Sequence, residues 1–203
     1  MSNWKCMRCG GEKAKTTREN EPMDEAMPGV VLLGVEVTKC LQCGNREVAI
    51  PHLDALLKLI AETIVKKPGR LTGDEVRFVR SYLELSGMEF AELMDATPAT
   101  VSRWENNKTP VGRTADLLLR AIVMLHHGRQ TSVSTFRGIS GLLAEEGKVR
   151  VPTIYQFKFD GDMWKSTGIG AQWDRRFEGK AMKPPRRAGH TVGARRASYT
   201  GTP

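Results

Sequence analysis

The chain has 203 residues, 40% of them apolar and 27% charged, with a formal net charge of +8. That composition supports modest cores in one or two domains, and no apolar run approaches the roughly 18–20 residues of a membrane-spanning helix, which excludes a bilayer span. Residues 1–128 hold 17 basic and 17 acidic side chains, whereas residues 129–203 hold 14 and 6; such a basic segment is drawn to polyanions, nucleic acid first among them.

The opening stretch MSNWKCMRCGGEK offers no apolar segment fit for a secretory signal, so the expected compartment is the cytoplasm, where thiols stay reduced. Cysteines there read as metal ligands rather than disulfides. They form two pairs, Cys6 and Cys9 in CMRCGG, Cys40 and Cys43 in CLQCGN. Two intervening residues let both thiolates of a pair reach one ion from a tight turn. Gly10 and Gly44 allow the positive φ that aims backbone N–H groups at sulfur. Four thiolates make a closed tetrahedral site, so the expectation is one structural Zn2+ per chain, holding together a segment too small to fold on its own core. Iron is the rival metal, because rubredoxins use paired CxxCG turns at similar separation, though this segment lacks their acidic, aromatic-rich character. The residues between Cys9 and Cys40 are expected to form a hairpin that joins the two turns. VVLLGVEV (30–37) either packs half its side chains into that small core or presents an exposed edge strand.

Residues 1–50 thus read as a β-rich finger. In residues 51–70, PHLDALLKLIAETIV places Leu53, Leu56, Leu57 and Ile60 at helical spacing behind a proline suited to a first turn, and KKPGR then breaks the pattern as a linker. Residues 71–128 are helical with short connections. TGDEVRFVRSYLEL carries acidic residues in its first turn and Val76, Val79 and Leu83 on one face. Ser86-x-x-Glu89 is a capping box for a short helix burying Phe90, Leu93 and Met94, and Asp95-Ala96 makes a tight turn. In ATPATVSRWENNKTP, Thr97 is the N-cap and Pro98 occupies the first turn. Val101 and Trp104 then share one side, while Ala99, Ser102, Arg103 and Asn106 share the other. VGRTADLLLRAIVMLHH follows, with Leu118, Leu119, Ile122 and Leu125 expected in the core; His126 and His127 read as polar residues at a helix end.

Residues 129–203 form a basic extension. STFRGISGLLAEEG reads as a short helix. TIYQFKFDGDMWKS alternates Tyr155, Phe157 and Phe159 around an Asp160-Gly161 hairpin turn, one face of it packed on the main domain. From Arg175 onward the chain has too few large apolar residues to offset its ordering entropy, and disorder is expected.

Two short helices joined by a tight turn, the second with a polar outer face, make a helix-turn-helix. LSGMEFAELMDATPATVSRWENNKTP, with its TVSRWE and N-x-K-x-P elements, resembles the lambda-repressor-like (Xre/Cro-type) domain. The four-cysteine finger, the following helix and this domain, in that order, resemble the MqsA-type antitoxins with a YgiT-type zinc finger over about residues 4–127. The resemblance implies an α+β chain that binds a palindromic operator in double-stranded DNA as a homodimer, and whose finger neutralises a cognate toxin. By position it implies base contacts from Ala99 and Arg103 and phosphate contacts near Thr100 and Lys108, with Ser86 and Gly87 offering a helix N-terminus to a further phosphate. Ser102 and Asn106 complete the exposed face. Pro98, Gly87 and Asp95 depart from the family pattern; Pro98 has no polar group to offer a base. No Ser/His/Asp, paired-carboxylate or phosphate-loop constellation appears, so an enzyme is not expected. The alternative reading is a stand-alone zinc-finger and helix-turn-helix regulator with no toxin.

Overall fold

The computed structural model describes residues 4–24, 26–128, 137–138 and 153–170. Its described residues fall within one compact unit, Met1–Trp173. It is an α+β unit with one sheet and five helices among the described residues. The expected helix in STFRGISGLLAEEG lies outside the described residues apart from Arg137 and Gly138, and so does the expected disorder from Arg175 onward.

β1 (Ala14–Pro22) pairs antiparallel with β2 (Val30–Cys40), with Ala14 opposite Cys40 and Pro22 opposite Val31. This is the hairpin that joins the two cysteine turns. The other edge of β2 is shared: β3 (Arg46–Ala49) runs beside Glu36–Lys39, and β4 (Ile154–Phe159) runs parallel beside Val30–Leu33, with Val30 opposite Tyr155. β5 (Trp164–Gly170) then returns antiparallel to β4. β2 is therefore the central strand, and VVLLGVEV is not an exposed edge.

A bulge sets which of its side chains reach the core. Gly34 has φ 64°, and its N–H donates to Asn20 Oδ1 at 3.0 Å, where the β1 register shifts between Glu19 and Glu21. The inserted residue changes the alternation, so that Val30 and Leu32 before it share a face with Val35 and Val37 after it. Val31 and Leu33 are buried as well, so six apolar side chains of β2 are covered rather than half of them.

The helices follow from their caps and apolar spacing. α1 (Leu53–Val65) buries Leu56, Ile60 and Ile64 and leaves Leu53 exposed. α2 (Gly73–Tyr82) opens with a capping box, Thr72 with Glu75, and α3 (Gly87–Leu93) opens with another, Ser86 with Glu89. Asp95 takes the left-handed conformation at φ 48° in the turn before α4 (Pro98–Glu105), where Thr97 accepts a hydrogen bond from the Thr100 N–H. α5 (Arg113–His126) departs from expectation. Leu118 and Leu125 are 41% and 55% exposed, while Leu119, Val123 and the fully buried pair Asp116 and Arg120 face inward. A buried ion pair occupies positions that apolar periodicity assigns to solvent, so the inward stripe of α5 runs through Asp116, Leu119, Arg120 and Val123.

That pair fixes the segment after α1. The Arg120 guanidinium donates to the carbonyls of Val65 (2.9 Å), Lys67 (2.8 Å) and Gly69 (2.6 Å), and Asp116 Oδ2 accepts the Leu71 N–H at 2.6 Å. Lys67 is itself buried against Glu75, at 2.7 Å, and Glu75 also accepts the Tyr155 hydroxyl from β4. KKPGR is thus clamped by α5, α2 and the sheet together. Tyr155, Phe157 and Trp164 are buried and the Trp164 indole N–H donates to the Pro51 carbonyl, so the aromatic row packs the hairpin onto the unit. None of the described helices is long and apolar enough to cross a membrane.

Candidate metal centre and candidate nucleic-acid interface

The two cysteine turns are built alike. The Gly10 N–H donates to the Cys6 carbonyl at 2.8 Å and the Gly44 N–H to the Cys40 carbonyl at 3.0 Å. The Cys6 N–H reaches Gly11 O and the Cys40 N–H reaches Asn45 O, each at 2.9 Å. Gly10 and Gly44 have φ 71° and 72°, a backbone that side chains other than glycine rarely adopt. The β1–β2 register and a bond from the Leu41 N–H to the Lys13 carbonyl at 2.9 Å bring one turn over the other.

The ligand atoms of Cys6, Cys9, Cys40 and Cys43 all lie within 4.8 Å of one another, and these four cysteines could hold a metal ion. Cys6 Sγ is 3.6 Å from Cys43 Sγ, and Cys9 Sγ is 3.7 Å from Cys40 Sγ. A tetrahedron with metal–sulfur bonds of about 2.3 Å has an edge of about 3.8 Å, so the sulfur spacing fits one tetrahedral ion. Cys6 and Cys40 are buried, whereas Cys9 and Cys43 are more exposed. The Cys43 and Gln42 N–H groups aimed at Cys40 lower its pKa to about 7. At Cys9 the Gly11 N–H favours the thiolate, but the neighbouring sulfurs, Cys43 first, push the pKa up to about 12. Sulfurs this close hold a proton between them until a cation compensates their charge. Trp4 closes the finger from the N-terminal side, its indole N–H 3.0 Å from Glu47 Oε2, a contact that no motif in the sequence announced.

On α4, Ala99, Ser102, Arg103 and Asn106 are exposed together, with Lys108 exposed just beyond the helix and Thr100 half-buried against Thr97. Val101 and Glu105 are buried and Trp104 packs against the core. Several of the exposed groups have partners. Arg103 Nε donates to the Ala99 carbonyl at 3.2 Å, laying the guanidinium along its own helix. The Asn106 amide donates to the Ser102 carbonyl at 2.7 Å and accepts from Arg77 at 3.3 Å. The Ser86 N–H and hydroxyl are both engaged by Glu89, while the space around Gly87 is open.

The residues that aim α4 lie largely outside the sequence motif. Arg80 pairs with Glu105 at 2.5 Å and donates to the Leu85 carbonyl at 2.8 Å, tying α2, α4 and the turn before α3. The Gly73 N–H donates to Asn107 Oδ1 at 2.8 Å, and a Cβ on Gly73 would fall 2.2 Å from the Trp104 carbonyl, so only glycine admits this approach. The His126-His127 pair does split: His127 turns inward, with Nε2 2.6 Å from the Tyr82 hydroxyl and Nδ1 3.5 Å from Glu62. Comparison with known proteins finds no matching family model, no matching curated protein and no matching solved structure.

Proposed function

We propose that this chain is a sequence-specific DNA-binding transcriptional repressor of the cytoplasm that reads a palindromic operator as a homodimer. In this reading it is an antitoxin of the MqsA type, using its finger to neutralise a toxin and its helix-turn-helix to repress its own operon. The observation that supports it is α4, which is anchored on one side by Val101, Trp104 and Glu105 and bears Ala99, Ser102, Arg103 and Asn106 on the other.

Arg103 is the main base reader: on leaving the Ala99 carbonyl, its guanidinium can pair in bidentate fashion with a guanine, while the Ala99 methyl suits a thymine methyl. Thr100 and Lys108 contact phosphates, joined by Ser86 and Gly87 at the start of α3. Asn106 and Ser102 hold each other and Arg77, so their share is to shape the face. The ion in the finger is zinc, which four thiolates hold in a closed site with no position left for substrate; the chain has no catalytic role. Leu118 and Leu125, exposed on α5, supply apolar surface for the homodimer. Both edges of β2 are taken, so a toxin would meet the finger elsewhere. The basic extension beyond residue 128 favours a second reading, a stand-alone regulator whose finger only stabilises the unit.

Selection of duplexes from a random pool tests the proposal. The chain is expected to enrich one palindromic sequence, and Arg103→Ala is expected to lose about 1–3 kcal/mol of preference at the contacted position with the fold intact. No enrichment, or a preference that Arg103→Ala leaves untouched, would sink the reading. Recovery of a small neighbouring-gene protein with the chain separates the antitoxin from the stand-alone regulator.

A further inference from the structure

The sheet ends in two outer strands, β1 and β5, and among the described residues each has a strand neighbour on one side only. An open strand edge is a template for further pairing. Two backbone bonds show which groups of β1 are open. The Leu41 N–H donates to the Lys13 carbonyl and the Met23 N–H to the Val30 carbonyl, so Lys13 and Met23 face β2. Alternation between them turns the N–H and C=O groups of Ala14, Thr16, Arg18 and Asn20 outward. Pro22 faces outward too, where its missing N–H ends any added ladder.

The side chains along this strand are sorted by charge. Lys13 and Lys15 stand at its start and Glu19 and Glu21 at its end, all at odd positions and so on one face. Neither lysine has an ion pair among the described residues. Arg46 holds both carboxylates, Glu19 at 3.2 Å and Glu21 at 2.9 Å, so one cation there serves two anions. Charges on an edge keep strands apart where like meets like. A second copy running antiparallel brings the basic half of one β1 against the acidic half of the other.

Three two-fold registers near the middle of the strand match outward groups with outward groups. Centred on Thr16, the register brings only one of the two lysines to a carboxylate. Centred on Arg18, it sets two arginines against each other. Centred on Thr17, it sets Lys15 opposite Glu19 and Lys13 opposite Glu21, each pair occurring twice. Ala14 opposite Asn20 and Thr16 opposite Arg18 then exchange the backbone bonds. The charged pairs fall at the non-hydrogen-bonded positions, where side chains come closest. β5 offers nothing comparable, since its one charge, Lys165, is held by Asp160 at 2.6 Å.

We propose that β1 is a self-association edge, on which two copies of the chain join antiparallel about a two-fold axis through Thr17 to make one continuous sheet. Such a contact is self-complementary, each pair of residues meeting twice. It is separate from Leu118 and Leu125 of α5, and it does not depend on the DNA-binding reading.

Sedimentation equilibrium of the full reduced chain, without DNA, compares the unchanged protein with K15E and with E19K. Each variant sets like charges opposite each other in its own pairing, and each should weaken association at least about tenfold, halving the mass of the main species. Mixed in equal amounts, K15E and E19K should associate again, because the two changed positions then meet with opposite charge and so do the two unchanged ones. The double variant K15E/E19K should associate by itself. An unchanged protein that is monomeric overturns the proposal. Association that K15E leaves at full strength overturns it too, and is the result for an interface through α5 alone. Loss in both variants without recovery on mixing also overturns it, as damage to the strand rather than to a pairing.

Discussion

Tyr155 donates its hydroxyl hydrogen to Glu75 Oε1 at 2.7 Å, joining β4 to the first turn of α2 across 80 positions of sequence, with both side chains buried. Glu75 at the same time holds Lys67 and receives the Thr72 N–H at 2.7 Å, so one carboxylate serves the sheet, the segment after α1 and a helix cap. Burial, and then the charge of Glu75, raise the Tyr155 pKa far above its ordinary value, keeping the hydroxyl a donor. Tyr155→Phe is expected to cost about 1.5–3 kcal/mol, the range for a hydrogen bond to a charged group. Urea unfolding would show this as a lower midpoint with an unchanged slope.

Removing the Arg120 side chain should cost more. Arg120→Met leaves Asp116 charged and buried and frees three carbonyls, and a broken buried pair is worth about 3–5 kcal/mol. Asp116→Leu with Arg120→Met together should cost less than Arg120→Met alone, because no unpaired charge remains. A double mutant no more stable than the single one would mean that the carbonyl contacts, not the pair, dominate.

The cysteine centre makes a stoichiometric prediction. Metal analysis of reduced protein should find one ion per chain, and Cys40→Ser or Cys6→Ser should release it. An ion held by the four cysteines would tie the two turns together, so chelation should speed amide exchange through Cys6–Gly11 and Cys40–Asn45 far more than through α4 or α5.

The cap of α3 responds to acid. The Ser86 hydroxyl and N–H hold the Glu89 carboxylate below its usual pKa of 4.5. The charged form therefore favours the folded state. Its contribution is fully present above pH 4.5 and is lost as pH falls through the lower folded value. Glu89→Gln should narrow the stability gap between pH 6 and pH 3, and should speed exchange of the first α3 amides at pH 6.

Local chemistry wrote the parts that were legible in the sequence. The CxxCG turns, the Ser86 and Thr97 caps, the left-handed Asp95 and the two sides of α4 each depend on residues within about one helical turn. Arg120 shows what local patterns miss. A polar pair at i and i+4 reads as a solvated face, yet here it faces inward because carbonyls 55 and 53 residues earlier need donors. Gly34 is a second case: strict alternation predicts half-burial of β2, and one inserted residue changes which side chains share the core. The parallel seat of β4 beside β2 depends on distant pairing that no window of sequence contains.

That seat has a consequence for how the protein is made. Val30–Leu33 and Tyr155–Lys158 are neighbours in the sheet, but α1 to α5 are all synthesised between them. The cysteine hairpin and the helices rest on nearby contacts and can form as the chain emerges, whereas closing a loop of that length is slow. Until the last hairpin leaves the ribosome, half of one edge of the central strand has open N–H and C=O groups and Glu75 lacks its tyrosine. The nascent chain thus carries a sticky, incomplete sheet for most of its synthesis, and the final hairpin is what closes it.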